Sequence, residues 1–157
     1  MDKIIAFGMI VELTPDEKSR LVEGYDHIHA ILRRLLLFEG EIGKDREHFW
    51  VVGFQTLDYI KYVELVALGS LNDVAVLPRE AYRMAVHQGC NRVVLAHNHP
   101  SGDLKFSRAD SALTKRMIAG GEILGIDMIE HLLVSPDGYK PYFNYRGGSP
   151  FGKKSVL

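Results

Sequence analysis

His97-Asn98-His99 followed by Ser107 and Asp110 is the part of the sequence whose residue types and spacing could do chemistry. On an extended segment, side chains two residues apart point to the same face, so His97 and His99 can present two imidazoles to a single ion. Pro100 keeps the residue before it extended, and Gly102 lets the chain turn sharply toward a following helix. Asp110 falls one turn inside that helix. If the helix begins beside the strand end, its first turn brings the Asp110 carboxylate back to the two imidazoles. Two nitrogen ligands and one oxygen ligand, with a fourth position left to water, suit zinc in a catalytic rather than a structural site. Each part alone is a common structural device. A histidine pair near a loop is more often solvated or hydrogen-bonded within the fold, and Ser107 with Asp110 is a capping-box variant. Together they form His-x-His, seven residues, Ser, two residues, Asp, which chance would produce in on the order of one in a thousand sequences of this composition.

The elements that must position these residues are legible in the flanking pattern. Arg92 to Ala96 is an uninterrupted apolar run, Val93-Val94-Leu95-Ala96 at its centre, as in a strand covered on both faces; it leads directly into His97. Ser107 opens a helical pattern lasting to Leu124, with Leu113, Met117 and Ile118 on one side, which Gly120-Gly121 weaken. Upstream, Thr14-Pro15-Asp16-Glu17 is a helix start. The spacing of Leu21, Ile28, Ile31, Leu32, Leu35 and Leu36 predicts one helix running to Phe38, with Gly24 as a weak point. Phe49 to Phe54 and Ile60 to Leu68 are β-prone runs that predict an antiparallel pair. Pro78 to Gln88 predicts a short helix stopped by a left-handed Gly89. Met128 to Val134 predicts a strand, Pro136-Asp137-Gly138 a turn, and Tyr139 to Tyr145 an edge strand. The order of helices and strands predicts an α/β or α+β domain built around one mixed sheet. We divide the chain into an N-terminal helical segment (1–45), a domain carrying the site (46–146) and a flexible tail (147–157).

The 157 residues, 46% hydrophobic, provide one compact domain with its own core. Nineteen Lys and Arg against twenty Asp and Glu give a net charge of −1, so no global field draws a polyanion and any nucleic-acid site must be a local patch. One cysteine, Cys90, excludes an internal disulfide and a four-cysteine zinc site, and is read as a small buried hydrophobe of a cytoplasmic protein. Met1 to Leu13 has no export pattern, and no apolar run reaches the roughly 18 residues of a membrane span.

The run His97-Asn98-His99-Pro100-Ser101-Gly102-Asp103 with Ser107 and Asp110 resembles the zinc motif of the JAMM/MPN family. Its Pro-Ser-Gly-Asp version is that of the bacterial RadC proteins. Pro78-Arg79-Glu80, Ala112-Leu113-Thr114 and Leu124-Gly125-Ile126 followed by His131 extend the likeness over Glu47 to Tyr139. The region before it lacks the helix-hairpin-helix of full-length RadC proteins, so the chain looks like a short stand-alone form. The resemblance implies an MPN fold, a mixed sheet flanked by helices similar to the cytidine deaminase fold. It also implies zinc held by His97, His99 and Asp110, and hydrolysis of a peptide or isopeptide bond. Glu47, in Glu47-His48-Phe49-Trp50-Val51-Val52, matches the glutamate that such enzymes carry on an earlier strand as general base. Glu41, Glu64 and Glu80 are the rivals. Ser107 matches the serine that stabilises the oxyanion. His131 is expected to be structural or to support a ligand, and Glu130 stands where relatives commonly have aspartate.

The letters His-Asn-His do not make an HNH nuclease, whose named residues are dispersed. Deamination by the His-x-Glu and Pro-Cys-x-x-Cys motif is excluded by the single cysteine. Three functions remain: an amide hydrolase; a DNA-associated module, for which Arg79, Lys105, Arg108, Lys115 and Arg116 could touch phosphates; and a non-catalytic interaction domain. DNA binding by this chain is expected to be weak.

Overall fold

The computed structural model describes residues 8–40, 43, 45–55, 57–69, 76–143 and 150–151. The predicted antiparallel pair forms as β2 (Glu47–Phe54) and β3 (Ile60–Gly69), and the covered apolar run as β4 (Arg92–Asn98). With β1 (Met9–Ile10), β5 (Asp127–Ser135) and β6 (Gly138–Pro141) they make one six-stranded sheet in the order β1-β3-β2-β4-β5-β6. Every neighbouring pair is antiparallel except β4 and β5. A parallel pair needs a long crossover, and the helix Arg108–Leu124 between β4 and β5 supplies it. The architecture is a mixed α+β one, as expected.

Both faces of the sheet are covered. Trp50, Val52, Phe54, Val94, Ala96, Leu132 and Val134 pack under α2 (Tyr25–Phe38) through Ile28, Ile31, Leu32 and Leu36. Phe49, Val51, Val93, Leu95 and Met128 pack with Ala81, Ala85 and Met117 on the opposite side. Those last three come from α3 (Pro78–Ala81), α4 (Arg83–Gln88) and the crossover helix, here α5. Strand β4, one of the two central strands, therefore has apolar neighbours above and below, which explains its unbroken run of valine, leucine and alanine.

The single helix expected from Thr14 to Phe38 is two. The first, α1 (Pro15–Ser19), is closed at its start by the Thr14 and Glu17 capping box and ends at an extended Arg20. The chain then runs beside Asp58 and Tyr59: Leu21 bridges Tyr59, and the Val22 N–H donates to the Asp58 carbonyl at 2.7 Å. Leu21, 40% exposed, is therefore not part of the buried stripe, whereas Val22 is fully buried. Gly24 caps α2 in an extended conformation. The helix expected over residues 78–88 is likewise divided at Tyr82, although Gly89 does stop it with φ +66°. The edge strand predicted for Tyr139 to Tyr145 is the shorter β6, and residues 144 and 145 lie outside the described residues.

Gly120 and Gly121, read as weak points of α5, are where it meets α3. A Cβ on Gly121 would collide with the Ile126 carbonyl oxygen and stand 2.8 Å from the Tyr82 hydroxyl, while one on Gly120 would lie 2.7 Å from Pro78 Cβ. The same Tyr82 hydroxyl donates to the Met117 carbonyl at 2.6 Å, tying the helices together. Alanine in an open helix gains about 1 kcal/mol over glycine. Gly121→Ala is nevertheless expected to lower the unfolding free energy by about 1–3 kcal/mol, because the backbone oxygen cannot give way. Urea denaturation checks this; unchanged or raised stability would refute the close-approach argument.

Candidate metal centre

The site forms where β4 runs out and α5 begins. His97 is the last but one residue of β4 and is fully buried; it lies on the α5 face with Leu95 and Phe49, its partner across the β2–β4 ladder. His99 follows, and the turn after it is closed by the Gly102 N–H donating to the His99 carbonyl at 2.9 Å, with Gly102 at φ +75°. Positive φ there is the conformation glycine adopts without a Cβ penalty. Ser101 and Asp103 bond each other, and Asp103 accepts the Lys105 N–H at 2.7 Å, which rigidifies the loop up to the helix. Ser107 then caps α5: its hydroxyl oxygen accepts the Asp110 N–H at 3.0 Å, and its own N–H donates to Asp110 Oδ2 at 2.7 Å.

This reciprocal cap aims the Asp110 carboxylate at the two histidines. His97 Nε2 lies 3.2 Å from His99 Nε2 and 3.2 Å from Asp110 Oδ1, and His99 Nε2 lies 3.2 Å from Asp110 Oδ2. The three residues form a group that could hold a metal ion, as the His-x-His and capping arithmetic anticipated. Burial alone would raise the Asp110 pKa. The His97 imidazole and the Ser107 hydrogen bonds outweigh it and hold the carboxyl well below the usual carboxylate range.

Three features surround this group. His131, fully buried on β5, places Nε2 at 2.8 Å from His97 Nδ1 and Nδ1 at 2.7 Å from Thr114 Oγ1. Burial, then the neighbouring His97, push its pKa well below the ordinary histidine value. Asp103 Oδ2 is 3.6 Å from His99 Nδ1, on the side of that ring away from the cluster. Phe106 stands over His97 and His131 with ring centroids 6.0 and 5.5 Å away, and Tyr142 packs edge-on against it. Glu130 does not share this face. It accepts the Tyr25 hydroxyl of α2 at 2.9 Å and the backbone N–H groups of His131, Tyr142 and Phe143, so it pins the chain after β6 rather than orienting the His131 ring.

Glu47 opens β2 and is half-buried. The rings of His48 and Trp50 stack at 4.9 Å on the α2 side, so alternation puts Glu47 with Phe49 on the side of His97. Phe49 pairs with His97, and continuing that register by two residues sets Glu47 across from His99. The ladder itself stops at this pair, and Asn98 takes over. Its Oδ1 accepts the His48 N–H at 2.7 Å and its Nδ2 donates to the Arg46 carbonyl at 3.0 Å, one bond on each side of Glu47. Among the rivals, Glu64 is buried in β3, beyond β2 from the cluster, and paired with Arg83 at 3.1 Å; Glu80 caps α3 through the Leu77 N–H; Glu41 lies outside the described residues. Thr114 and Asn98 fall within motifs quoted from the sequence, but the sequence assigns neither a role in the site. Thr114 stands four residues after Asp110, on the same helix face, which is a readable signal; the Asn98 bonds depend on strand register and are not.

A mixed sheet with helices on both faces, and a His-His-Asp group at the end of its central parallel strand, defines a JAB/MPN-type domain. Residues 26–146 match the model of the RadC-like JAB domain, and the chain belongs to that family. It is 40% identical over 95 residues to a UPF0758 protein of Desulfitobacterium hafniense, covering 60% of this chain and 42% of that protein. It is 32% identical over 129 residues to a UPF0758 protein of Methanococcoides burtonii, covering 82% of this chain and 54% of that one. The chain spans about half the length of the curated relatives it matches. Among the described residues no helix is long and apolar enough to cross a membrane.

Proposed function

We propose that this domain is a zinc-dependent hydrolase that cleaves an amide bond, peptide or isopeptide, with a metal-activated water. The observation that carries the reading is the convergence of two imidazole nitrogens and the two oxygens of one carboxylate, His97 Nε2 on His99 Nε2 and on Asp110 Oδ1 and His99 Nε2 on Asp110 Oδ2, each contact at 3.2 Å. Ligands about 2.0–2.1 Å from zinc at tetrahedral angles stand about 3.3 Å from one another, so the residues fit that ion. Two imidazoles in a set of three also favour zinc over the oxygen-seeking magnesium and calcium. His97, His99 and Asp110 would hold the metal, and bound zinc supplies the Lewis acidity that makes water a nucleophile near neutral pH.

The chain's own residues then have separable tasks. Glu47, on the side of His97 and bracketed by the Asn98 amide, takes a proton from the attacking water and returns it to the leaving amine. The Ser107 oxygen accepts the Asp110 N–H, leaving its O–H proton to donate to the oxyanion of a tetrahedral intermediate. The test is hydrolysis of a panel of peptide and isopeptide-linked substrates by zinc-loaded protein, with chelation abolishing it. A zinc-loaded protein inert toward every amide in the panel would leave the reading without support.

A second reading, a nucleic-acid module, draws on Arg79, Lys105, Arg108, Lys115 and Arg116, all exposed. The net charge of −1 opposes it. DNA binding by this chain is expected to be no tighter than the micromolar range of non-specific contacts at physiological salt. Titration at several salt concentrations checks this, and submicromolar, salt-steep binding would promote the second reading over the first.

A further inference from the structure

We infer that Thr114 and His131 are positioning residues that fix the proton of His97 on Nδ1 and so present its bare Nε2 to the metal. This rests on the metal reading above and is derived from burial and hydrogen-bond order. The Thr114 hydroxyl lies 2.7 Å from the Asp110 carbonyl oxygen and 2.7 Å from His131 Nδ1. A carbonyl can only accept, so the single hydroxyl proton is committed to it. Thr114 Oγ1 then has only lone pairs for His131, and the proton between them must sit on His131 Nδ1. His131 is fully buried and its two ring nitrogens face an imidazole and a hydroxyl, neither nitrogen being bonded to a carboxylate that would balance a charge, so the ring is neutral, carries that one proton, and leaves Nε2 as an acceptor. The 2.8 Å contact from Nε2 to His97 Nδ1 therefore needs the proton on His97 Nδ1.

That leaves a lone pair on His97 Nε2, the atom at 3.2 Å from both His99 Nε2 and Asp110 Oδ1. The relay begins on the backbone of one ligand, Asp110, and ends on the side chain of another. All its side chains are buried: Thr114, His131 and His97 are fully inaccessible, so water does not substitute for a missing member. The order of donors is dictated by the one group in the chain that cannot donate. It also accounts for a threonine four residues after Asp110, where its hydroxyl reaches back along the helix to that carbonyl.

Nitrogen-15 NMR of the imidazoles, with zinc alone as the added probe, tests the inference. In metal-free protein with neutral rings, His131 should show its proton on Nδ1; a proton on Nε2 instead would overturn the relay whatever zinc does. In zinc-loaded protein, His97 should coordinate through Nε2 and keep a slowly exchanging Nδ1–H. Thr114→Val and His131→Phe are expected to weaken zinc binding about 10- to 100-fold, as loss of a ligand's supporting hydrogen bond does. Thr114→Ser, which keeps the hydroxyl, should restore wild-type affinity, and His131→Gln should recover part of it because its amide can both accept and donate. Equal affinity for zinc in Thr114→Val, Thr114→Ser and wild type would refute the positioning role. Wild-type protein that binds no zinc would defeat the proposed function, while the proton position on His131 would still decide the hydrogen-bond order.

Discussion

Purified His97→Ala and Asp110→Ala proteins are expected to hold almost no zinc under conditions in which the wild type holds one ion per chain. Removing a group that only orients a ligand costs about 10- to 100-fold in affinity, so removing the ligand itself is expected to cost more than about 100-fold. The two variants differ in what else they disturb. His97→Ala opens a space between β4 and α5 and leaves His131 Nε2 without the contact it makes at 2.8 Å. Asp110→Ala removes the acceptor for the Ser107 N–H, a capping loss of about 1 kcal/mol. Asp110→Asn separates the effects, because its amide oxygen still accepts from Ser107 while the negative charge is gone. The neutral variant should keep the helix cap and lose the zinc. Neither apolar cluster includes a ligand, so all three variants should fold, unlike a zinc finger deprived of its metal. Elemental analysis of the purified proteins checks this, and equal zinc in wild type and variants would reject the ligand assignment.

What the sequence revealed follows from how local each relation is. The two histidines share a face because strand side chains alternate, and Asp110 returns to them because a capping box folds the third helical residue back over the cap. Both are relations within one stretch of fourteen residues, His97 to Asp110. The Thr14–Phe38 helix failed for a different reason. Its apolar spacing continues through Leu21, and only the pairing of Leu21 with Tyr59, about forty residues away, converts that stretch into an extended link. Tyr82 divides α3 from α4 where its side chain reaches the Met117 carbonyl. His131 could be noticed from its position after Gly125, but its partner could not. The contact with His97 exists because β5 lies parallel to β4 with Leu95 opposite His131. Glu130 shows the same limit: one residue away in sequence, a local irregularity in the β4–β5 register sends it to the α2 face and to Tyr25.

The Glu47→Gln protein is expected to retain its zinc and its fold and to hydrolyse amide substrates at least about 100-fold more slowly, the scale of a lost general base. Glutamine keeps the size of the side chain and its ability to accept a hydrogen bond, but it cannot hold the proton that must leave the attacking water. The support for this residue is positional. Glu47 shares the His97 side of β2, and the Asn98 amide bonds the carbonyl of Arg46 and the N–H of His48, fixing the backbone on both sides of it. Asn98 lies between the two histidines, so a single residue couples the strand bearing the proposed base to the strand bearing the ligands. A competent carboxylate has to reach within about 2.6–3.2 Å of the water it deprotonates, and a peptide held at two points beside the centre is suited to that demand. If Glu47 acts as base, the drop should appear in kcat and kcat/KM together, because the interaction is made in the transition state and not in substrate binding. Loss of zinc in Glu47→Gln would make the residue a ligand instead. Full activity with full zinc would pass the role to another acid, and Glu41 is then the substitution to make.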